Sequence, residues 1–97
     1  MRVRYTKAAV MQLSIIAEQT TKLVGKKRAK IIGASLHALL EQDLPVFPFR
    51  GKEGRVPGTR ELVLTHLPYL VVYRVGTDTI EILAMFHQFQ EWPKEKN

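Results

Sequence analysis

The spacing of hydrophobic positions changes along the chain, and each change of period predicts an element. Val3 to Tyr5 form a short β-prone stretch, and Thr6 is placed to cap a helix beginning at Lys7. Ala9, Leu13, Ile16 and Leu23 then recur at helical spacing, with Gln12, Glu18, Gln19 and Lys22 between them, which predicts an amphipathic helix ending near Val24. Gly25 offers a helix-ending backbone position. A second helix is expected from Lys26 to about Gln42 through Ala29, Ile32, Leu36, Leu39 and Leu40, with Gly33 marking a close helix crossing. So short a turn predicts an antiparallel hairpin. Between Leu44 and Gly58, three prolines and three glycines argue against regular structure and leave a long connection carrying Arg50, Lys52 and Arg55. The period then becomes that of strands at Thr59 to Leu64, Tyr69 to Val75 and Thr79 to about His87, joined by Thr65-His66-Leu67-Pro68 and Gly76-Thr77-Asp78.

The expected fold is therefore α+β: an N-terminal strand, a two-helix antiparallel hairpin, then a three-stranded antiparallel meander, giving a roughly four-stranded sheet. A chain of 97 residues has enough apolar side chains for one core, so residues 1–97 are expected to form one domain. Tyr69-Leu70-Val71-Val72-Tyr73 is apolar on both faces and should be the central strand. With both helices on one face of the sheet, the other face is left as an apolar patch suited to a partner. The alternative is that Phe47, Phe49 and Trp92 fold over it.

Charge narrows the range of partners. A formal +6 and a pI near 9.9 favour encounters with an acidic protein, a nucleic acid or a ribosome. Five cations, Lys22, Lys26, Lys27, Arg28 and Lys30, cluster where the two helices meet, as a contact for such a partner or as a solvated face. There is no cysteine, no HxxxH or HExxH pair and no phosphate-binding loop, so no metal or other cofactor is expected. No apolar run is long enough to cross a bilayer and no secretory signal is read after Met1, which predicts a cytoplasmic protein.

Candidate chemistry is sparse. His87 at the end of the last strand, with Arg60, Arg74 and Glu53, is a set that could cleave RNA: one group moves protons while guanidinium groups stabilise phosphorane charge. Equally, His87 could be a hydrogen-bonded structural residue, and Arg74 could simply pair with Glu81 across neighbouring strands.

The run from Gly54 to Val63, then Pro68 to Val75, Glu81-Ile82-Leu83, His87 and Glu91-Trp92-Pro93, closely resembles the C-terminal half of RelE/ParE toxins of bacterial type II toxin-antitoxin systems. Arg4-Tyr5-Thr6 with Ala9 and Leu13 resembles their opening strand and first helix. The resemblance implies two helices packed on an antiparallel sheet, growth inhibition, and a hetero-oligomer with a cognate antitoxin. An acidic amphipathic C-terminal segment of that antitoxin is expected against Leu13, Ile16, Leu36, Leu70, Val72, Phe86 and Trp92. The family divides between inhibitors of DNA gyrase and ribosome-dependent mRNA endoribonucleases. Nuclease members usually carry an arginine where this chain has Leu70, so the resemblance points to the ParE-like, gyrase-directed branch. Ala84 and Gln90 also stand where many relatives carry arginine. The nuclease alternative, with ribosome and mRNA as partners, would rest on Arg60, Arg74, His87 and Glu53.

Overall fold

A computed structural model describes residues 1–65 and 67–88. His66 of the expected turn, and Gln90, Glu91, Trp92 and Pro93 of the resemblance, lie outside the described residues. The elements run β1 (Arg2–Tyr5), α1 (Lys7–Val24), α2 (Lys26–Ala38), a π-helical segment (Leu39–Asp43), α3 (Leu44–Val46), β2 (Lys52–Glu53), β3 (Arg60–Val63), β4 (Tyr69–Val75) and β5 (Thr79–His87).

Helix α1 begins where its cap predicts. The Thr6 hydroxyl oxygen accepts from the Ala9 amide at 3.1 Å, supplying a partner to one of the amides a helix start leaves free. The helix ends at Gly25, whose φ of 86° suits a residue without Cβ and whose N–H reaches Thr21 O at 2.9 Å. At Gly33, by contrast, the expected close crossing is absent: a Cβ there would meet nothing within 4 Å. The second helix also departs from expectation. It widens into a π turn after Ala38 and continues to Val46, through the start of the segment expected to be irregular. Proline in an ordinary α-helix drives its ring against the carbonyl four residues back. Before Pro45 the turn opens to a bond from Leu44 N–H to Leu39 O, and this keeps Leu40 and Leu44 both in the core.

The sheet has five strands in the order β1-β5-β4-β3-β2, against the four expected. The extra strand, β2, is two residues long and pairs antiparallel with β3, Lys52 opposite Glu61 and Glu53 opposite Arg60. The sheet is mixed: β1 lies parallel to β5, while β2, β3, β4 and β5 follow one another antiparallel. The long connection between β1 and β5, which carries the helices and strands β2 to β4, leaves room for the crossover that parallel pairing needs. β4 is central, as its two apolar faces predict. Its Val71 and Tyr73 meet Ala9, Ile16, Leu40, Leu44, Ile80, Ile82 and Met85 in the core.

The β4–β5 pairing shifts register between Val72 and Tyr73, leaving Leu83 as an extra residue on β5. Helix α1 fastens both sides of that bulge. Thr6 Oγ1 donates to Leu83 O at 2.7 Å, and the Met85 amide donates to Gln12 Oε1 at 2.7 Å. Gln12→Ala would strand the Met85 amide under the helix and is expected to lower stability by about 1–3 kcal/mol, read as a shift in urea midpoint at unchanged m-value. Gln12→Glu keeps the acceptor and should stay closer to wild type.

A helix-hairpin groove and a tethered basic loop

Two surfaces hold five of the candidate residues, Leu13, Ile16 and Leu36 on one and Glu53 and Arg60 on the other. The first is an apolar groove between α1 and α2, of about 600 Å³. Leu13, Ile16 and Leu36 line it, as their helical stripes predict, together with Thr20, Ile32 and Leu67. Thr20 is buried one turn beyond Ile16 and extends the same stripe; its polar side chain hid it from a reading based on hydrophobic period alone. Gly33 also faces the groove and leaves its wall low. At one end the Tyr5 hydroxyl donates to the Glu41 carboxylate in the π turn. Burial first, and then that carboxylate, hold the Tyr5 pKa well above the ordinary phenol value, so the hydroxyl keeps its proton.

The second surface is the connection from Phe47 to Thr59. Its anchor is Tyr73, whose buried hydroxyl donates to Pro48 O at 2.7 Å and accepts from the Gly51 amide at 2.9 Å. Arg60 continues the attachment: Nε donates to Gly51 O at 2.9 Å and Nη2 to Phe49 O at 3.3 Å, with the guanidinium 5.1 Å from the Phe49 ring centroid. Arg60 and Glu53 share a shallow polar hollow of about 300 Å³ with Phe49, Thr59 and Val75. Behind it, buried Glu61 accepts from the Arg55 amide at 2.8 Å and faces the Arg55 guanidinium at 3.5 Å. Nothing in the residue pattern announces this contact, because residues six apart across a loop follow no helical or strand period.

The four candidates for RNA cleavage are not brought together. Arg60 and Glu53 are neighbours, but the Arg60 guanidinium holds the loop. Arg74 sits on β4 one residue beyond Tyr73, the partner of Arg60, so it lies on the opposite face of the sheet, and it pairs with Glu81 at 3.6 Å, the cross-strand ion pair the sequence allowed. His87 lies opposite Tyr69 at the far end of β4, its ring edge-on to that tyrosine at 5.4 Å, in a hollow shared with Gln12 and Gln19 of α1.

The expected open apolar face also needs correction at its centre. Leu70 and Val72 do lie on the face away from Val71 and Tyr73, yet they are only 4% and 5% exposed. Each sits on the middle strand with same-face neighbours on both sides, Val63 and Phe86 for Leu70, Glu61 and Ala84 for Val72. Ile16 is likewise buried, while Leu13, Leu36 and Phe86 are half-buried. Phe47 and Phe49 are exposed and Phe49 is engaged with Arg60, so neither seals that face. Among the described residues no group of three or more His, Cys, Asp or Glu could hold a metal, and no helix is long and apolar enough to cross a membrane.

Comparison with known proteins agrees with this architecture. Residues 3–92 match the family model described as the ParE toxin of the type II toxin-antitoxin system parDE. Y4kP of Sinorhizobium fredii, classed as a candidate toxin, is 36% identical over 96 residues, covering 96% of this chain and 94% of that protein. Among solved structures, the chromosomal ParDE toxin-antitoxin system of P. aeruginosa superposes with a TM-score of 0.69 at 25% identity, over 90% of this chain and 95% of the other. The RelBE2 toxin-antitoxin complex of Mycobacterium tuberculosis gives 0.62 at 25% identity, over 89% and 95%. The fold is thus that of the RelE/ParE toxins of type II toxin-antitoxin systems. Within that class, the chain belongs to the ParE toxin family.

Proposed function

We propose that this toxin acts by inhibiting DNA gyrase and is neutralised in the cytoplasm by a cognate antitoxin. The observation that carries the gyrase reading is the ParE family match over residues 3–92. The arrangement of the cleavage candidates supports it. An endoribonuclease needs its proton-transfer group and its cations around one phosphate, whereas Arg74 and Arg60 stand on opposite faces and His87 lies at the other end of β4. Both superposed structures come from toxin-antitoxin systems, which supports the antitoxin as partner. The groove lined by Leu13, Ile16 and Leu36, with Lys26 and Lys30 among its lining residues, suits an acidic amphipathic segment. The toxin and antitoxin then form a hetero-oligomer.

The reading is tested by adding purified toxin to gyrase with relaxed plasmid, and separately to translating ribosomes with a reporter mRNA. Supercoiling should fall with toxin concentration, recover when antitoxin is added, and leave the mRNA intact. Cleavage of mRNA in the ribosomal A site with supercoiling unchanged would instead establish the endoribonuclease. Arg60→Ala, Arg74→Ala and His87→Ala would then be compared for loss of cutting.

A further inference from the structure

The positive charge of this chain is concentrated. Between Gln19 and Leu40 there are five cations and no carboxylate, while the rest of the chain holds ten cations and nine carboxylates, so five of the formal +6 lie around the turn between α1 and α2. Lys22, Lys26, Lys27, Arg28 and Lys30 are all exposed. Lys22 has an ion pair, with Glu18 at 3.5 Å; the other four have none among the described residues. Lys26, Lys27 and Arg28 occupy the first turn of α2, where unpaired amides and the helix dipole favour acidic side chains and disfavour cations. Lys30 adds like-charge neighbours three and four residues on from Lys27 and Lys26. This arrangement works against the helix that carries it, so helix stability does not explain it.

We propose that the α1–α2 turn is a contact surface for the phosphate backbone of duplex DNA. Lys26 and Lys30 border the apolar groove, but Lys22 and Lys27 do not, and Arg28 lies on the side of α2 facing Asp43 and Arg50. A peptide held in the groove would meet two of these cations. A duplex, with a charge about every 1.7 Å along its axis, can meet cations on several sides of an exposed turn. The biological setting rests on the gyrase reading: an inhibitor of an enzyme that works on duplex DNA meets that DNA beside its target. The binding itself does not depend on that reading and is measured without gyrase.

The test titrates full-length toxin into a labelled mixed-sequence duplex of about 20 base pairs at salt from about 50 to 200 mM. Neutralising most of the five cations predicts a slope of log K against log salt of about −3 to −5. Lys27→Glu with Lys30→Glu should weaken binding about tenfold or more at low salt and flatten the slope by about 2. One of these changes puts an acid where the helix dipole favours it, so the thermal midpoint should hold. Arg2→Glu with Arg4→Glu, on the β1 edge of the sheet, should leave DNA binding nearly unchanged. The proposal is overturned if the duplex does not bind at low salt, or if the β1 pair matters as much as the tip. It is also overturned if the tip variant binds DNA normally and loses only the antitoxin, which would assign the turn to an acidic protein. Tighter capture by phosphatidylglycerol vesicles than by DNA would overturn it too, reassigning the turn, with its 85% exposed Leu23, to a lipid surface. Wild-type toxin that binds the duplex but leaves supercoiling untouched would sink the gyrase reading alone.

Discussion

Replacing Tyr73 by alanine is expected to cost about 3–5 kcal/mol, a large part of the stability of a domain this size. Among the described residues Tyr73 is the largest side chain with no exposure at all, and it performs two separate tasks. Its ring packs in the core with Ile80, Ile82 and Leu44, and its hydroxyl holds Pro48 O and the Gly51 amide of the loop. Tyr73→Phe separates these tasks. The ring stays, but a buried amide and a carbonyl lose their partner, for an expected loss of about 1–3 kcal/mol. At about 4–8 °C per kcal/mol for a domain of this length, Tyr73→Phe should lower Tm by roughly 10 °C and Tyr73→Ala by roughly 20 °C or more. Circular dichroism melts of the two variants beside wild type decide the matter. A Tyr73→Phe midpoint indistinguishable from wild type would mean the hydroxyl does not hold the loop. Hydrogen exchange adds a local check, since the Gly51 amide should lose protection in Tyr73→Phe while the β4–β5 amides keep theirs.

Tyr73 also shows where sequence reading stops. The limits of β4 and β5 were legible because a run apolar on both faces, bounded by Pro68 and by Gly76-Thr77-Asp78, leaves few alternatives for where a strand begins and ends. α1 was legible at both ends from Thr6 and Gly25, whose roles are local. The features that were missed depend on distant chain. β2 exists because β3 offers it a partner at Glu61 and Arg60, and two residues carry no period of their own. The parallel pairing of β1 with β5 joins strands separated by the helices and by β2, β3 and β4, and a strand this short does not specify its neighbour. The same division holds at the candidate sites. Leu13, Ile16 and Leu36 could be grouped from helical spacing, and the structure places them on one groove. Arg60 and Arg74 looked alike as strand arginines, but β4 divides them: one bonds to main-chain carbonyls of the loop, which no side-chain pattern announces, and the other pairs with Glu81 across the sheet.

The loop tethered by Tyr73 and Arg60 is held further along by a backbone contact that leaves no room for a side chain, and this gives the second large effect. The Gly54 amide donates to Thr59 O at 2.8 Å, closing the connection between β2 and β3. A Cβ at Gly54 would collide with Thr59 Oγ1 and lie 3.0 Å from Thr59 O. The Thr59 hydroxyl cannot simply rotate away without loss, because it donates to Val56 O at 2.6 Å and the residue is buried. Gly54→Ala must therefore break the hydroxyl's bond or push β2 away from β3. An expected cost of about 2–3 kcal/mol follows from overpacking combined with a lost hydrogen bond. Thr59→Ala removes the nearer of the two obstacles while leaving the carbonyl, and alone it should cost about 1 kcal/mol for the missing bond. If the clash is the cause, the double variant will be more stable than the sum of the two losses predicts, with a coupling of at least about 1 kcal/mol. Additive losses in urea titrations of the four proteins would show that Gly54 is needed for something other than the space beside Thr59. A wild-type midpoint for Gly54→Ala would show that the loop does not close this tightly in solution. Because the same closure sets the Arg55 amide on Glu61 and positions the start of β3 for Arg60, Gly54→Ala should also loosen the basic loop ahead of the sheet core. Early hydrogen exchange at Gly51 to Thr59 with slow exchange retained in β4 and β5 is the expected result.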